Sequence, residues 1–261
     1  MIFESHAHYD DEAYEEDRAE LLAKMSKEQI GYIINVGASM ESSRNTLALT
    51  KEYDFVYGAL GVHPSETGEL DEEKFQWLED TCLKEHIHQG GKIVAVGEIG
   101  LDYNWPEPTR DIQKKWFCRQ LELAKKVQLP IIIHSRDAAQ DTLELMQAQK
   151  AEELTGIIHC YSYSKEMARE YLNMNYYFGI GGVVTFKNAK TVKEAVAYIP
   201  IEKIVLETDS PYLAPEPNRG QRNSSLNIPY IAQAIAEIKG LTYEQVVTIT
   251  YNNAKQIFGI A

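Results

Sequence analysis

Six residues of this chain have the types and placement to hold cations together: His6, His8, Glu98, His134, His159 and Asp209. Each lies at or just past the end of a short apolar run. In an extended strand, residues i and i+2 face the same way, so His6 and His8 can turn both imidazoles to one point. Taken alone, that pair fits equally well a core histidine beside a loop histidine. Recurrence along the chain changes the reading. His134 follows Pro130–Ile133, His159 follows Gly156–Ile158, Glu98 ends the run Lys92–Gly97, and Asp209 lies just past Lys203–Leu206. A carboxylate in such a place needs a cation or hydrogen-bond donors. Four imidazoles and two carboxylates suffice for a two-metal site, and the mixture suits Zn, Mn, Fe or Co better than Ca. Two divalent ions per chain are expected; the residue types do not separate Zn, Mn, Mg, Co and Ni.

Other candidates have more ordinary alternatives. His63 sits at another strand end, before Pro64. Arg136 follows His134 by two positions and can reach the same mouth to clamp an oxyanion, or pair with Asp137. Arg219 and Arg222 lie in the loop after the last strand, where barrels often bind phosphate, though a flexible surface loop fits too. Tyr103 and Trp105 fit either a stacking wall or loop packing. Cys160 is expected to point away from the site, with no partner that would make it a nucleophile. His86 and His88 repeat the H-x-H spacing in the polar stretch Lys84–Gly91 and read as solvated surface residues. No Walker A, G-x-S-x-G or H-E-x-x-H pattern occurs, which disfavours nucleotide-driven motors, serine hydrolases and zincin proteases.

Strands alternating with helices must position these residues. Strands are predicted at Ile2–Ser5, Tyr32–Val36, Phe55–Gly61, Lys92–Gly97, Pro130–Ile133, Gly156–Ile158, Tyr176–Ile180 and Lys203–Leu206. Helices are predicted at Glu12–Met25, from a Ser39 N-cap to about Lys51, and at Asp71–Lys84, Asp111–Val127, Ala138–Gln149, Ser164–Met174, Val192–Tyr198, Ile228–Lys239 and Tyr243–Phe258, the last with Thr242 as N-cap. Eight strands separated by helices imply a parallel sheet covered on both faces. A closed α/β barrel of the TIM type, (β/α)8, as a single domain over residues 1–261 fits best. A doubly wound sheet fits less well, since no G-x-G-x-x-G follows the first strand. A barrel puts its chemistry at the C-terminal ends of its strands, where the candidates lie.

Composition narrows the classes. The 261 residues are 44% hydrophobic and 25% charged, an ordinary globular balance. The net charge of −13 excludes a nucleic-acid binder built on a broad basic face, but not an enzyme holding a few phosphates at a cation-rich site. No apolar run reaches the ~18 residues of a membrane span, and the N-terminus lacks secretory-signal features. The three separated cysteines, Cys82, Cys118 and Cys160, suggest reduced thiols in the cytoplasm.

The strand-end motifs His6-Ala7-His8, Gly61-Val62-His63-Pro64, Gly97-Glu98-Ile99-Gly100-Leu101-Asp102, His134-Ser135-Arg136-Asp137-Ala138, His159-Cys160-Tyr161-Ser162 and Glu207-Thr208-Asp209-Ser210-Pro211-Tyr212-Leu213 resemble, in order and spacing, those of the TatD-type metal-dependent deoxyribonucleases, a branch of the amidohydrolase-like barrels. The resemblance spans the chain to the Asn252-Asn253-Ala254…Phe258 helix. It implies a TIM-type barrel with two divalent metals, one held by His6, His8, Glu98 and Asp209, the second by Glu98, His134 and His159. It implies that Glu98 bridges the two metals and that His63 and Arg136 contact substrate. On chemical grounds the catalytic roles then expected are Glu98 as bridge, Asp209, at the edge of the site, as acceptor of the attacking water's proton, and His63 as hydrogen-bond donor to the phosphate or proton donor to the leaving oxygen. The expected partner is DNA or an oligonucleotide, bound transiently; nothing points to a membrane or an obligate protein partner. Hydrolysis of amides, lactones or phosphotriesters is the alternative on such a barrel, and many relatives of that kind bridge their metals with a carbamylated lysine on strand four. Here Glu98 has that position, and Lys92 sits at the strand's other end. The loop Arg219-Gly220-Gln221-Arg222-Asn223-Ser224-Ser225 departs from the family's Arg-Gly-Lys-Arg-Asn-Glu-Pro.

Overall fold

A computed structural model describes residues 1–25 and 27–260. Eight parallel strands run in sequence order: β1 (Ile2–Ala7), β2 (Ile30–Val36), β3 (Val56–Leu60), β4 (Ile93–Asp102), β5 (Ile131–Arg136), β6 (Gly156–Ile158), β7 (Tyr177–Ile180) and β8 (Ile204–Leu206). Each strand ladders with the next, β1 to β2 through β7 to β8. The seam between β8 and β1 closes through one bridge, Ala7 to Ser210, through Asp209 N–H donating to the His6 carbonyl (3.0 Å) and through His8 N–H donating to the Ser210 carbonyl (2.8 Å). The sheet is therefore a nearly closed (β/α)8 barrel, as expected.

Around it lie α1 (Arg18–Met25), α2 (Met40–Glu52), α3 (Glu72–Lys84), α4 (Arg110–Val127), α5 (Ala139–Ala148), α6 (Lys165–Asn173), α7 (Lys190–Tyr198), α8 (Ile228–Lys239) and α9 (Tyr243–Phe258). Ser39 caps α2, and Thr242 with Gln245 forms a reciprocal capping box at α9, so the predicted starts of both helices hold. No described helix is long and apolar enough to cross a membrane.

Two apolar layers support the barrel. One takes Phe3, Ile34, Ala59, Val94, Ile132, Ile157, Tyr177 and Val205, one from each strand, and fills the interior; Ile257 and Phe258 of α9 join it where the strands begin. The larger layer packs the outer sheet face against the helices, with Leu121, Ile133, Phe178 and Ile231 among its members. The helix predicted over Glu12–Met25 is interrupted. Asp11 caps a single 3-10 turn, Glu12–Tyr14, and the α-helix starts only at Arg18. The buried Tyr14 hydroxyl donates to the Asn223 carbonyl and Arg18 Nε to the Tyr9 carbonyl, which hold the segment to the barrel instead of letting it continue as a helix.

Candidate metal centre

At the C-terminal mouth, β1 slips in register against β2 between Glu4 and Ala7. Phe3 fills the barrel interior and Glu4 bonds Ser225 in the loop before α8; past the slip, His6 and His8 face the mouth together. Strict alternation counted from Phe3 would turn both histidines outward, and a local irregularity of this kind re-aims them. His8 Nδ1 bonds the Val36 carbonyl at 2.8 Å, which places its proton there and leaves the Nε2 lone pair facing inward.

His6 Nε2 lies 3.2 Å from His8 Nε2, 3.3 Å from Glu98 Oε2 and 3.7 Å from Asp209 Oδ1. His8 Nε2 lies 3.7 Å from Glu98 Oε2 and 3.4 Å from Asp209 Oδ1. A tetrahedral site with metal–ligand bonds of about 2.1 Å has edges of about 3.4 Å, so these four atoms fit one divalent cation. Two imidazole lone pairs face to face at 3.2 Å also repel unless a cation or proton lies between them. The other Glu98 oxygen, Oε1, lies 2.7 Å from His134 Nδ1 and 2.8 Å from His159 Nε2, and these two nitrogens are 3.2 Å apart. That is a three-atom face fit for a second cation with open positions. His6, His8, Glu98, His134, His159 and Asp209 are all brought together.

A second set of groups orients the first. His134 Nε2 faces Asp102 Oδ2 at 3.2 Å, leaving Nδ1 for the site. His159 Nδ1 faces the fully buried Glu207 at 3.6 Å, leaving Nε2 for the site. Glu207 fits only because residue 179 is glycine: a Cβ there would stand 1.9 Å from Glu207 Oε2. Glu4 Oε1 accepts from the backbone N–H groups of His6 (3.1 Å) and Thr208 (2.9 Å), and its Oε2 from the hydroxyls of Thr208 and Ser225, tying β1 to the segment that carries Asp209. Burial pushes the Glu4 carboxyl up to about 8 against those donors. Carboxylates behind metal-ligating histidines set tautomer and ring orientation.

The electrostatics favour cations. Burial would raise Glu98, but His159, His63 and His134 hold it well below the ordinary carboxylate range. Asp209 is held down in the same way, against burial, chiefly by His8. Burial would lower His8, but its hydrogen bond to Asp209 and the charges of Asp209 and Glu98 lift it to about 9. His63 goes the other way, to about 3, through burial and the neighbouring His134. Its Nδ1 accepts the Ser65 N–H at 3.1 Å, so the neutral ring carries its proton on Nε2, 3.8 Å from Glu98 Oε1. Arg136 is exposed and is the one guanidinium or ammonium group on the cavity wall among the described residues; the cavity measures about 660 Å³.

Several sequence readings need correction. Arg219 and Arg222 do not line this cavity: Arg219 stacks over Phe186, and Arg222 pairs with Asp17 and lies over Tyr14. His86 is buried rather than solvated, its Nε2 3.0 Å from the Val127 carbonyl and its Nδ1 accepting the His88 N–H. Tyr103 packs inward with its hydroxyl on Asp141, while Trp105 reaches the mouth. Asp102, Glu4 and Glu207 were not singled out. The apolar alternation Ile99-Gly100-Leu101 marks β4 as running on to Asp102, and that signal locates Asp102 at the strand end.

Comparison with known proteins identifies the family. A family model described as "TatD related DNase" matches residues 3–259. The chain is 42% identical over 260 residues to a Bacillus subtilis protein described as the uncharacterized metal-dependent hydrolase YabD, covering 100% of both chains. It is 32% identical to the Escherichia coli protein described as the uncharacterized metal-dependent hydrolase YcfH, covering 100% of this chain and 96% of that one. The crystal structure of YJJV, a TatD homolog from Escherichia coli, superposes with a TM-score of 0.91 at 26% identity, covering 100% of this chain and 98% of that one.

Proposed function

The chain belongs to the TatD family of metal-dependent hydrolases, and from that premise we propose that it is a two-metal phosphodiesterase acting on DNA ends or short single-stranded DNA. The observation that carries the reading is the pair of Glu98 oxygens: Oε2 faces His6 and His8, Oε1 faces His134 and His159. Divalent cations held there supply Lewis-acid polarisation of a phosphoryl oxygen and a water acidified towards neutral pH.

The chain's own groups do the rest. Asp209, an anion at the cavity wall, accepts the proton of the attacking water at a carboxylate oxygen. His63, neutral with its proton on Nε2, donates that hydrogen bond to a non-bridging phosphate oxygen or to the departing oxygen. The Arg136 guanidinium, at the rim, balances the charge that builds on the phosphoryl group. His6, Glu98 and His159 are themselves buried, which shields the inner part of the ligand set from bulk water.

The test is metal analysis of the purified protein joined to a substrate panel: end-labelled single-stranded DNA, bis(p-nitrophenyl) phosphate, a lactone, an amide and a phosphotriester. Two divalent ions per chain with turnover of the phosphodiesters are expected. Turnover confined to lactones, amides or phosphotriesters, or fewer than two ions in the replete protein, would overturn the reading.

A further inference from the structure

Large apolar side chains left exposed among the described residues are few, and three of them, Trp105, Tyr212 and Leu213, line the cavity that holds the ligand set. They come from two loops. Trp105 lies between β4 and α4, and Tyr212–Leu213 follows β8. Both aromatic rings are more than half exposed, Trp105 at 53% and Tyr212 at 54%.

The loop after β8 is held for this purpose. The Tyr212 hydroxyl donates to Asp11 at 2.8 Å, and the Tyr212 carbonyl accepts from buried Asn223 at 2.7 Å. Leu213 has φ of +52°, a left-handed backbone unusual for a bulky side chain. Its carbonyl oxygen packs where a Cβ on residue 182 would stand 2.2 Å away, so a glycine there is needed for the approach. Backbone held in such a conformation by its neighbours is common at ligand-binding surfaces.

The charge of the same wall says what the surface takes. Asp10, Asp11 and Glu66 line it beside the ligand carboxylates, against the single Arg136. A groove that tracks a polyanion needs a run of Lys and Arg, and none is present here. Affinity must come from neutral, flat groups next to the one phosphate at the ligand set. A nucleobase offers such a face; inside a duplex both of its faces are covered by stacking, and at a duplex end only the outer face of the terminal pair is free, whereas an unpaired strand can offer every base.

We propose that Trp105 and Tyr212, with Leu213 beside them, form a stacking site for unpaired nucleobases flanking the scissile phosphate. The proposal rests on the phosphodiesterase reading and adds to it the residues that select an unpaired end. Stacking on an aromatic side chain contributes roughly 5- to 150-fold per base and is indifferent to base identity.

The experiment compares two substrates of equal length and charge on the metal-replete protein. One is an oligothymidylate; the other carries abasic tetrahydrofuran residues at its terminal positions. The wild type should show a KM for the abasic strand higher by roughly 5- to 150-fold. Trp105→Ala and Tyr212→Ala should each shrink that ratio, Trp105→Phe should restore it, and Tyr198→Ala, an exposed ring outside the cavity, should retain it. Cleavage of both strands by the wild type with equal KM overturns the stacking site and leaves the phosphodiesterase reading standing. Cleavage of neither strand, nor of bis(p-nitrophenyl) phosphate, overturns that reading and the stacking site with it.

Discussion

Glu98 and Asp209 are both buried-edge carboxylates against histidines, yet replacing each by its amide should give opposite results. Glu98 uses both oxygens, Oε1 at 2.7–2.8 Å from His134 and His159, Oε2 at 3.3–3.7 Å from His6 and His8. In Glu98→Gln only one oxygen remains. Whichever way the amide turns, an NH₂ donor points at one pair of imidazole nitrogens, and a donor does not ligate a cation. Groups one layer behind a ligand typically contribute 10–100-fold to metal affinity, so this change should weaken at least one ion by about 10²-fold or more. Asp209 offers Oδ1 to His6 and His8 at 3.4–3.7 Å. Asp209→Asn can keep its carbonyl oxygen there, so most of the metal should stay. What is lost is the anionic proton acceptor, and turnover should fall by about 10²–10⁴. Metal content by mass spectrometry after dialysis, and kcat on the same preparations, read both effects. Near wild-type kcat in Asp209→Asn would refute its role as acceptor. Full retention of both ions in Glu98→Gln would refute the bridge.

Glu207→Gln and Asp102→Asn should each weaken metal binding about 10–100-fold in a chelator competition, because each removes the anion behind a ligating histidine; unchanged affinity would show these pairs to be incidental. His63 is pushed to about 3 in the folded chain against about 6.5 unfolded, so the unfolded state takes up the extra proton and stability falls as pH drops from 6.5 towards 3. Between pH 7 and pH 5 that share is about 2 kcal/mol, so the urea-unfolding advantage of wild type over His63→Gln should shrink by that amount; a constant difference would contradict the depressed value. At net charge −13 with one arginine on the wall, log K for single-stranded DNA against log salt should be no steeper than about −1.5; a slope near −4, about six phosphates, would demand a basic groove.

The ligand set was readable because each member closes an apolar run, and in a barrel all such ends meet at one mouth. What was not readable depends on partners remote in sequence. Glu4 reads as a stray acid in a strand until Thr208 and Ser225 are seen on it, 204 and 221 residues away. Arg222 reads as a phosphate contact until Asp17 is placed beside it, and His86 as solvent-facing until α4 brings the Val127 carbonyl to it. β4 runs five residues past its predicted end at Gly97, because Ile99–Asp102 pair with Ile133–Arg136, a partnership remote in sequence.

The seam between β8 and β1 makes assembly of this centre a matter of chain order. Glu98, His134 and His159 sit on β4 to β6 or immediately after them, a contiguous stretch that can form its ladders before the C-terminal part of the protein has been synthesised. His6 and His8 are made first of all, yet their anionic counterpart Asp209 emerges some 200 residues later, on the far side of the seam between β8 and β1. The inner half of the centre can therefore exist in a nascent chain, whereas the outer half cannot exist until the two ends have met. A cation binding the outer half selects closed barrels over open ones, and its binding free energy acts as a clasp on the seam.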